Sequence, residues 1–96
     1  MNQLSLFEPN WKDLPFLVVD TETTGLDPKQ NRVIEIAWVL FQGKREIMGK
    51  AKLCSVPDPL SPEIIRLTGI NDAMLQGQPA FCEHIPEFLE ACSQAS

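Results

Sequence analysis

Asp20 and Glu22 stand two residues apart at the end of an apolar run, in the stretch FLVVDTETTGL from Phe16 to Leu26. Along a β-strand, residues two apart point to the same side. Two carboxylates so placed face one point just past the strand's end, where they repel each other unless a divalent cation lies between them. Oxygen ligands of this kind suit Mg²⁺ or Mn²⁺. Thr23, Thr24 and Gly25 follow at once, with small side chains and open backbone N–H groups that a phosphate or sugar could approach closely. The chemistry this favours is two-metal phosphodiester hydrolysis. The D-x-E spacing alone also fits a strand end capped by Asp20, with Glu22 merely solvated.

The elements that must position this pair are legible in outline. PFLVV reads as a central strand covered on both faces, and GLDPKQN as a turn. RVIEIAWVLFQ, rich in β-branched and aromatic residues, reads as a second strand. Gly43-Lys44 marks a tight hairpin, and REIMGKAKLCS returns as a third strand near a sheet edge. Ser61 is placed as an N-cap, Pro62 at the first helical position and Gly69 as the stop of a short helix. At least two of Ile64, Ile65 and Leu67 in it are expected in the core. Asn71 caps a further brief turn through DAML. A last helix carries Phe81, Ile85, Phe88, Leu89 and Cys92 on one apolar stripe, with Pro86 expected to kink it or remove one hydrogen bond. The order is β-β-β-α, a meander with one helical layer. It leaves one face of an apolar first strand without a partner.

Composition bounds what these elements can do. The chain has 96 residues, 44% of them hydrophobic and 22% charged, which suits one folded domain with a modest core. Its net charge of −5 repels a nucleic-acid backbone at long range, so a polyanionic substrate needs bound cations or a local basic patch. Lys44, Arg45, Lys50 and Lys52 are the densest basic group and read as the solvated edge of the hairpin. The three cysteines, Cys54, Cys82 and Cys92, lack the paired spacing of a zinc site. The single histidine, His84, has no second imidazole to help it bind metal and reads as a surface side chain. Without a signal peptide or a long apolar run, a reducing cytoplasm and no membrane association are expected.

VVDTETTGLDP, then VIEIAWV, then LTGIND, in that order, resemble the first motif and flanks of DnaQ-like 3′–5′ exonucleases. That is the DEDD superfamily, which includes the proofreading epsilon subunit of bacterial DNA polymerase III. The resemblance covers roughly residues 16–92. It implies an α/β, ribonuclease-H-like mixed sheet with flanking helices, here incomplete: a three-stranded antiparallel meander followed by helices. It also implies a Mg²⁺- or Mn²⁺-dependent exonuclease that acts on nucleic-acid 3′ ends, DNA before RNA. Asp20 and Glu22 would be the first two of four acidic metal ligands. Thr21, Thr23, Thr24, Gly25 and Leu26 would shape the 3′-end site, with Thr23 binding the terminal nucleotide through its backbone and hydroxyl. Ile65 and Thr68 match the short-helix positions that border the terminal base and sugar, where many members carry His in place of Thr68. Glu35, polar inside VIEIA, would either orient the site or serve a structural hydrogen bond. The family's third and fourth acids and its general base have no match here. The expectation is therefore an N-terminal portion, inactive alone. The competing reading is a non-catalytic, truncated nuclease fold that docks on a sliding clamp or polymerase.

Residues 1–15 read as a flexible leader before a domain portion at 16–96. Within it Gln3, Leu4, Ser5, Leu6 and Phe7 resemble the short peptide by which bacterial replication and repair proteins dock on the DNA sliding clamp. Leu4, Leu6 and Phe7 would fill a hydrophobic cleft while the Gln3 amide makes orienting hydrogen bonds. Alternatively, Leu6, Phe7 and Trp11 fold back onto the chain's own apolar face.

Overall fold

The computed structural model describes residues 13–27 and 29–95. Strands β1 (Pro15–Thr23), β2 (Val33–Gln42) and β3 (Arg45–Leu53) form an antiparallel meander in the order β1-β2-β3. Helices α1 (Pro62–Thr68), α2 (Asp72–Leu75) and α3 (Phe81–Gln94) follow. Gln42 pairs with Arg45, so Gly43-Lys44 is a two-residue turn, and Gly43 takes φ 61°. Glycine accepts that angle without steric cost at the first position of a type II′ turn.

The period-two alternation of β2 sorts the sheet into two unlike faces. Ile34, Ile36, Trp38 and Leu40 are all buried. Leu17, Val19 and Thr21 of β1 lie opposite Leu40, Trp38 and Ile36 and share their face. Helix α3 covers this side: Phe81, Phe88 and Ala91 pack with Ile36, Trp38 and Cys54. The Trp38 and Phe88 rings meet edge to face with centroids 5.5 Å apart, a favoured aromatic geometry. A second cluster, Ile34 with Leu60, Ile70 and Leu75, is closed by Ile64 and Ile65 of α1. Two of the three candidate core residues of α1 therefore pack inward, and Leu67 does not.

The other face carries Phe16, Val18, Asp20 and Glu22 of β1 opposite Phe41, Val39, Ala37 and Glu35 of β2. Among the described residues β1 has β2 as its one strand neighbour. On this face Phe16 and Val18 are exposed. A strand whose sequence suits a covered, central position thus sits at an edge here.

The helix caps form where the sequence places them. Ser61 accepts from the Ile64 N–H and Asn71 from the Met74 N–H, and Gly69 ends α1 at φ 76°. Helix α3 runs through Pro86 without a break. Its start has no Ser, Thr or Asn; instead the Glu83 carboxylate reaches back to the Ala80 N–H at 2.7 Å. The inward face of α3 also differs from the expected stripe. Leu89 is exposed and Ala91 is buried. His84, expected at the surface, is half-buried, with Nε2 3.0 Å from the Leu53 carbonyl oxygen. No helix among the described residues is long and apolar enough to cross a membrane.

Candidate active site

Asp20 and Glu22 lie near the end of β1's pairing with β2, and the register shifts between Glu22 and Thr23. Such irregularities re-aim side chains at the rim of a sheet. Asp20 is exposed and Glu22 half-buried. Both stand on the uncovered face, the geometry expected from their spacing. Glu35 lies directly opposite Glu22 on that same face, where two like charges disfavour each other. Hard carboxylate oxygens on one face fit a Mg²⁺-like ion. No group of three or more His, Cys, Asp or Glu among the described residues is arranged to hold one. Glu35 therefore does not bring the pair up to a three-ligand group among the described residues.

Beside Glu22 opens a groove of about 550 Å³. One wall is Thr21 to Leu26; the other is Ser61, Glu63, Ile64, Leu67 and Thr68 of α1 and its cap. The expected residues of the β1 turn are therefore assembled at one place, and Thr68 joins them. Ile65 lies instead against the Ile34 cluster, and Ile64 and Leu67 line the groove. The helical period explains this: positions 64, 67 and 68 share one face of α1, and 65 is turned away. Leu26 is fully exposed and Leu67 is 70% exposed, so each wall carries an uncovered aliphatic side chain.

Hydrogen bonds fix the turn and limit what its polar groups can offer. The Thr23 hydroxyl donates to the Gly25 carbonyl at 2.6 Å. The Thr24 N–H, expected to be open, donates to the Arg32 carbonyl at 2.9 Å. The Thr24 hydroxyl accepts from the Arg32 N–H at 2.9 Å. The Thr68 hydroxyl donates to the Ile64 carbonyl at 2.8 Å and accepts from the Ile70 N–H at 3.0 Å. What Thr68 turns toward the groove is thus chiefly apolar surface. The basic hairpin is remote: Lys44, Arg45, Lys50 and Lys52 lie in or beside β3, beyond β2 from the carboxylates. Lys52 there pairs with Glu87 of α3 at 3.2 Å. Gln3, Leu4, Ser5, Leu6 and Phe7 lie outside the described residues. Asp13 and Leu14 are held to the end of β2, through the Gln42 side chain and the Gly43 N–H.

An α/β sheet with two carboxylates on one face at a strand end, one of them lining an apolar-lipped groove, is an arrangement found in nuclease-type hydrolase folds. The comparisons make the class specific. Residues 17–96 match the exonuclease family RNase_T, and the chain belongs to that family. It is 44% identical over 82 residues to the DNA polymerase III subunit epsilon of Aquifex aeolicus, an alignment that covers 84% of this chain and 40% of the relative. It is 41% identical over 76 residues to the PolC-type DNA polymerase III of Halalkalibacterium halodurans, covering 79% of this chain and 5% of that one. The chain thus spans less than half the length of either relative. Among solved structures, exonuclease X in complex with 5′ overhanging duplex DNA aligns at 29% identity with a TM-score of 0.65, covering 75% of this chain and 42% of that one. A 3′-exonuclease that recognises the 3′ end of a histone mRNA stem-loop aligns at 22% with a TM-score of 0.73, over 95% of this chain and 35% of its own. That last likeness is one of fold alone. The ribonuclease-H-like α/β architecture expected from the sequence is the one found.

Proposed function

We propose that the chain forms the N-terminal part of a metal-dependent 3′–5′ exonuclease domain that hydrolyses phosphodiester bonds at DNA 3′ ends, in proofreading or repair. The observation that carries this is the placement of Asp20 and Glu22 on one sheet face, with Glu22 lining the groove walled by Thr21 to Leu26 and α1. Asp20 and Glu22 would hold Mg²⁺ or Mn²⁺, which would supply charge stabilisation and activation of water. Thr23, Thr24 and Gly25 would receive the 3′-terminal sugar, and Leu26, Ile64, Leu67 and the methyl of Thr68 its base. DNA is favoured over RNA because the two relatives described above, 44% and 41% identical, are DNA polymerase III proteins.

The remaining ligands and the general base are assigned to the rest of the domain. His84 is not that base, because it is bonded to Leu53 on the helix that covers the opposite face of the sheet. Residues Gln3 to Phe7 would dock the protein on a sliding clamp, which supplies proximity to DNA that a net charge of −5 does not. The site would work in the cytoplasm, where the three cysteines stay reduced.

The test is Asp20→Ala in the full-length protein. It should lower Mn²⁺- or Mg²⁺-dependent release of 3′ nucleotides from a DNA oligonucleotide by about 100-fold or more, with its folding intact. Retained activity would sink the assignment. A second reading is favoured by the two-ligand site: a nuclease fold that docks without catalysis. It predicts no nuclease activity in the unmutated protein at any metal concentration, with clamp binding that survives loss of both carboxylates.

A further inference from the structure

Beyond the Thr23 and Thr24 hydroxyls, the turn that walls the groove is held by the side chain of Asn31. Its Oδ1 accepts the Asp27 N–H at 2.7 Å, and its own N–H donates to the Asp27 carbonyl at 2.7 Å. The two residues therefore clasp each other in both directions across the β1–β2 loop. The Asn31 carboxamide also lies against Gly25. A Cβ added at Gly25 would fall 2.6 Å from Oδ1 and 2.8 Å from both Cγ and Nδ2 of Asn31, inside van der Waals contact. Gly25 is not among the glycines with positive φ. Backbone freedom therefore does not account for glycine at this position; the space taken by Asn31 does. One residue on, Arg32 bonds Thr24 twice through its backbone, so Asn31 is carried to the turn on a fixed strand start.

We propose that Asn31 is a positioning residue for the 3′-nucleotide groove. Its carboxamide, seated on Gly25 and bonded to Asp27, holds Thr23 to Leu26 in the shape that receives the terminal nucleotide. Asn31 acts through the turn, so its loss weakens engagement of the 3′ end and leaves the carboxylate chemistry in place. Gly25 and Asn31 are complementary in volume, so changes at the two positions are coupled. This inference rests on the exonuclease reading of the groove.

The experiment is steady-state release of 3′ nucleotides from a single-stranded DNA oligonucleotide by the full-length protein, with thermal midpoints recorded for each variant. Asn31→Ala should raise KM by about three- to tenfold, the equivalent of one lost hydrogen bond, with kcat held within about twofold. Gly25→Ala should do the same, because the new methyl displaces the carboxamide. The double variant should be no worse than Asn31→Ala alone, because the methyl then has room. An unchanged KM in Asn31→Ala would overturn the inference. So would losses at the two positions that simply multiply in the double variant, or a fall in kcat with KM unmoved. If Gly25→Ala does not fold, the double variant still folds and reads the coupling on this account; failure of both to fold would also overturn it. A wild-type protein that releases no nucleotides would remove the functional reading and this inference with it. An active wild type with an indifferent Asn31 would remove this inference alone.

Discussion

Glu35 sits between two chemistries that the sheet keeps on opposite sides. Its position opposite Glu22 puts it on the face of the carboxylate pair, and its charge also reaches the buried Cys54 thiol. Burial pushes the Cys54 pKa up from its ordinary value near 9.0, and the Glu35 charge pushes it further. The unfolded chain ionises this thiol at a lower pH than the folded one, so the folded state binds more protons across the interval between the two values. Stability should therefore fall as pH rises above about 9, and Cys54→Ala should flatten that slope. Urea midpoints of the two proteins between pH 7 and 10 would show it; parallel curves would contradict it. The placement of candidate site residues was legible wherever spacing along one strand decided the geometry, as for Asp20 and Glu22 on one face. Ile64 and Leu67 were not, because a seven-residue helix does not declare from its sequence which face meets the groove. Asn31 was read only as part of a turn, since its value appears when the loop closes and its carboxamide meets Gly25.

Helix α3 shows the same limit at the level of packing. Its apolar stripe was visible in the sequence, and Phe81 and Phe88 do face the sheet. The helix is rotated about its axis relative to that stripe, so that His84 reaches Leu53 and Ala91, 2% exposed, meets Ile36, Trp38 and Cys54. The reason is steric: a ring as large as Trp38 already fills the sheet side, and the closest approach of the helix goes to its smallest apolar residue. Hydrophobicity alone ranks Leu89 above Ala91, and contact geometry reverses the order. Ala91→Leu should accordingly cost about 1–3 kcal/mol by overpacking. Leu89→Ala should cost about 0.5 kcal/mol, as at an ordinary surface position. Chemical denaturation of both variants checks the order, and a larger loss at Leu89 would mean that the helix presents the other side. The strands and caps were easier to read. Strand alternation, the Ser61 and Asn71 caps and the glycines at 43 and 69 each rest on a rule within a few residues.

The open face of the sheet joins fold to function. Val18, 54% exposed, lies two residues before Asp20 on the same face, with Phe16 and, across the strand pair, Val39 and Phe41. Apolar surface this close to a carboxylate pair has little use in water. Covered, it would exclude solvent and leave Asp20 and Glu22 at the edge of a dry wall, where their attraction for a cation is stronger. The relatives are more than twice as long as this chain, and we expect the remainder of the domain to lie on this face and beside β1, bringing further metal ligands with it. Val18→Lys separates the possibilities. In the 96-residue chain the new ammonium meets water, and the cost should be within about 0.5 kcal/mol. In the full-length protein the same charge is trapped under a packed layer, and the cost should be about 2 kcal/mol or more, read as a fall in urea midpoint. Exonuclease activity should fall with it, since the layer that is pushed away is the one that completes the site. An equal, small cost in both proteins would mean that the face stays open. The two carboxylates would then lack the ligands that hydrolysis needs, and the docking reading would displace the enzymatic one.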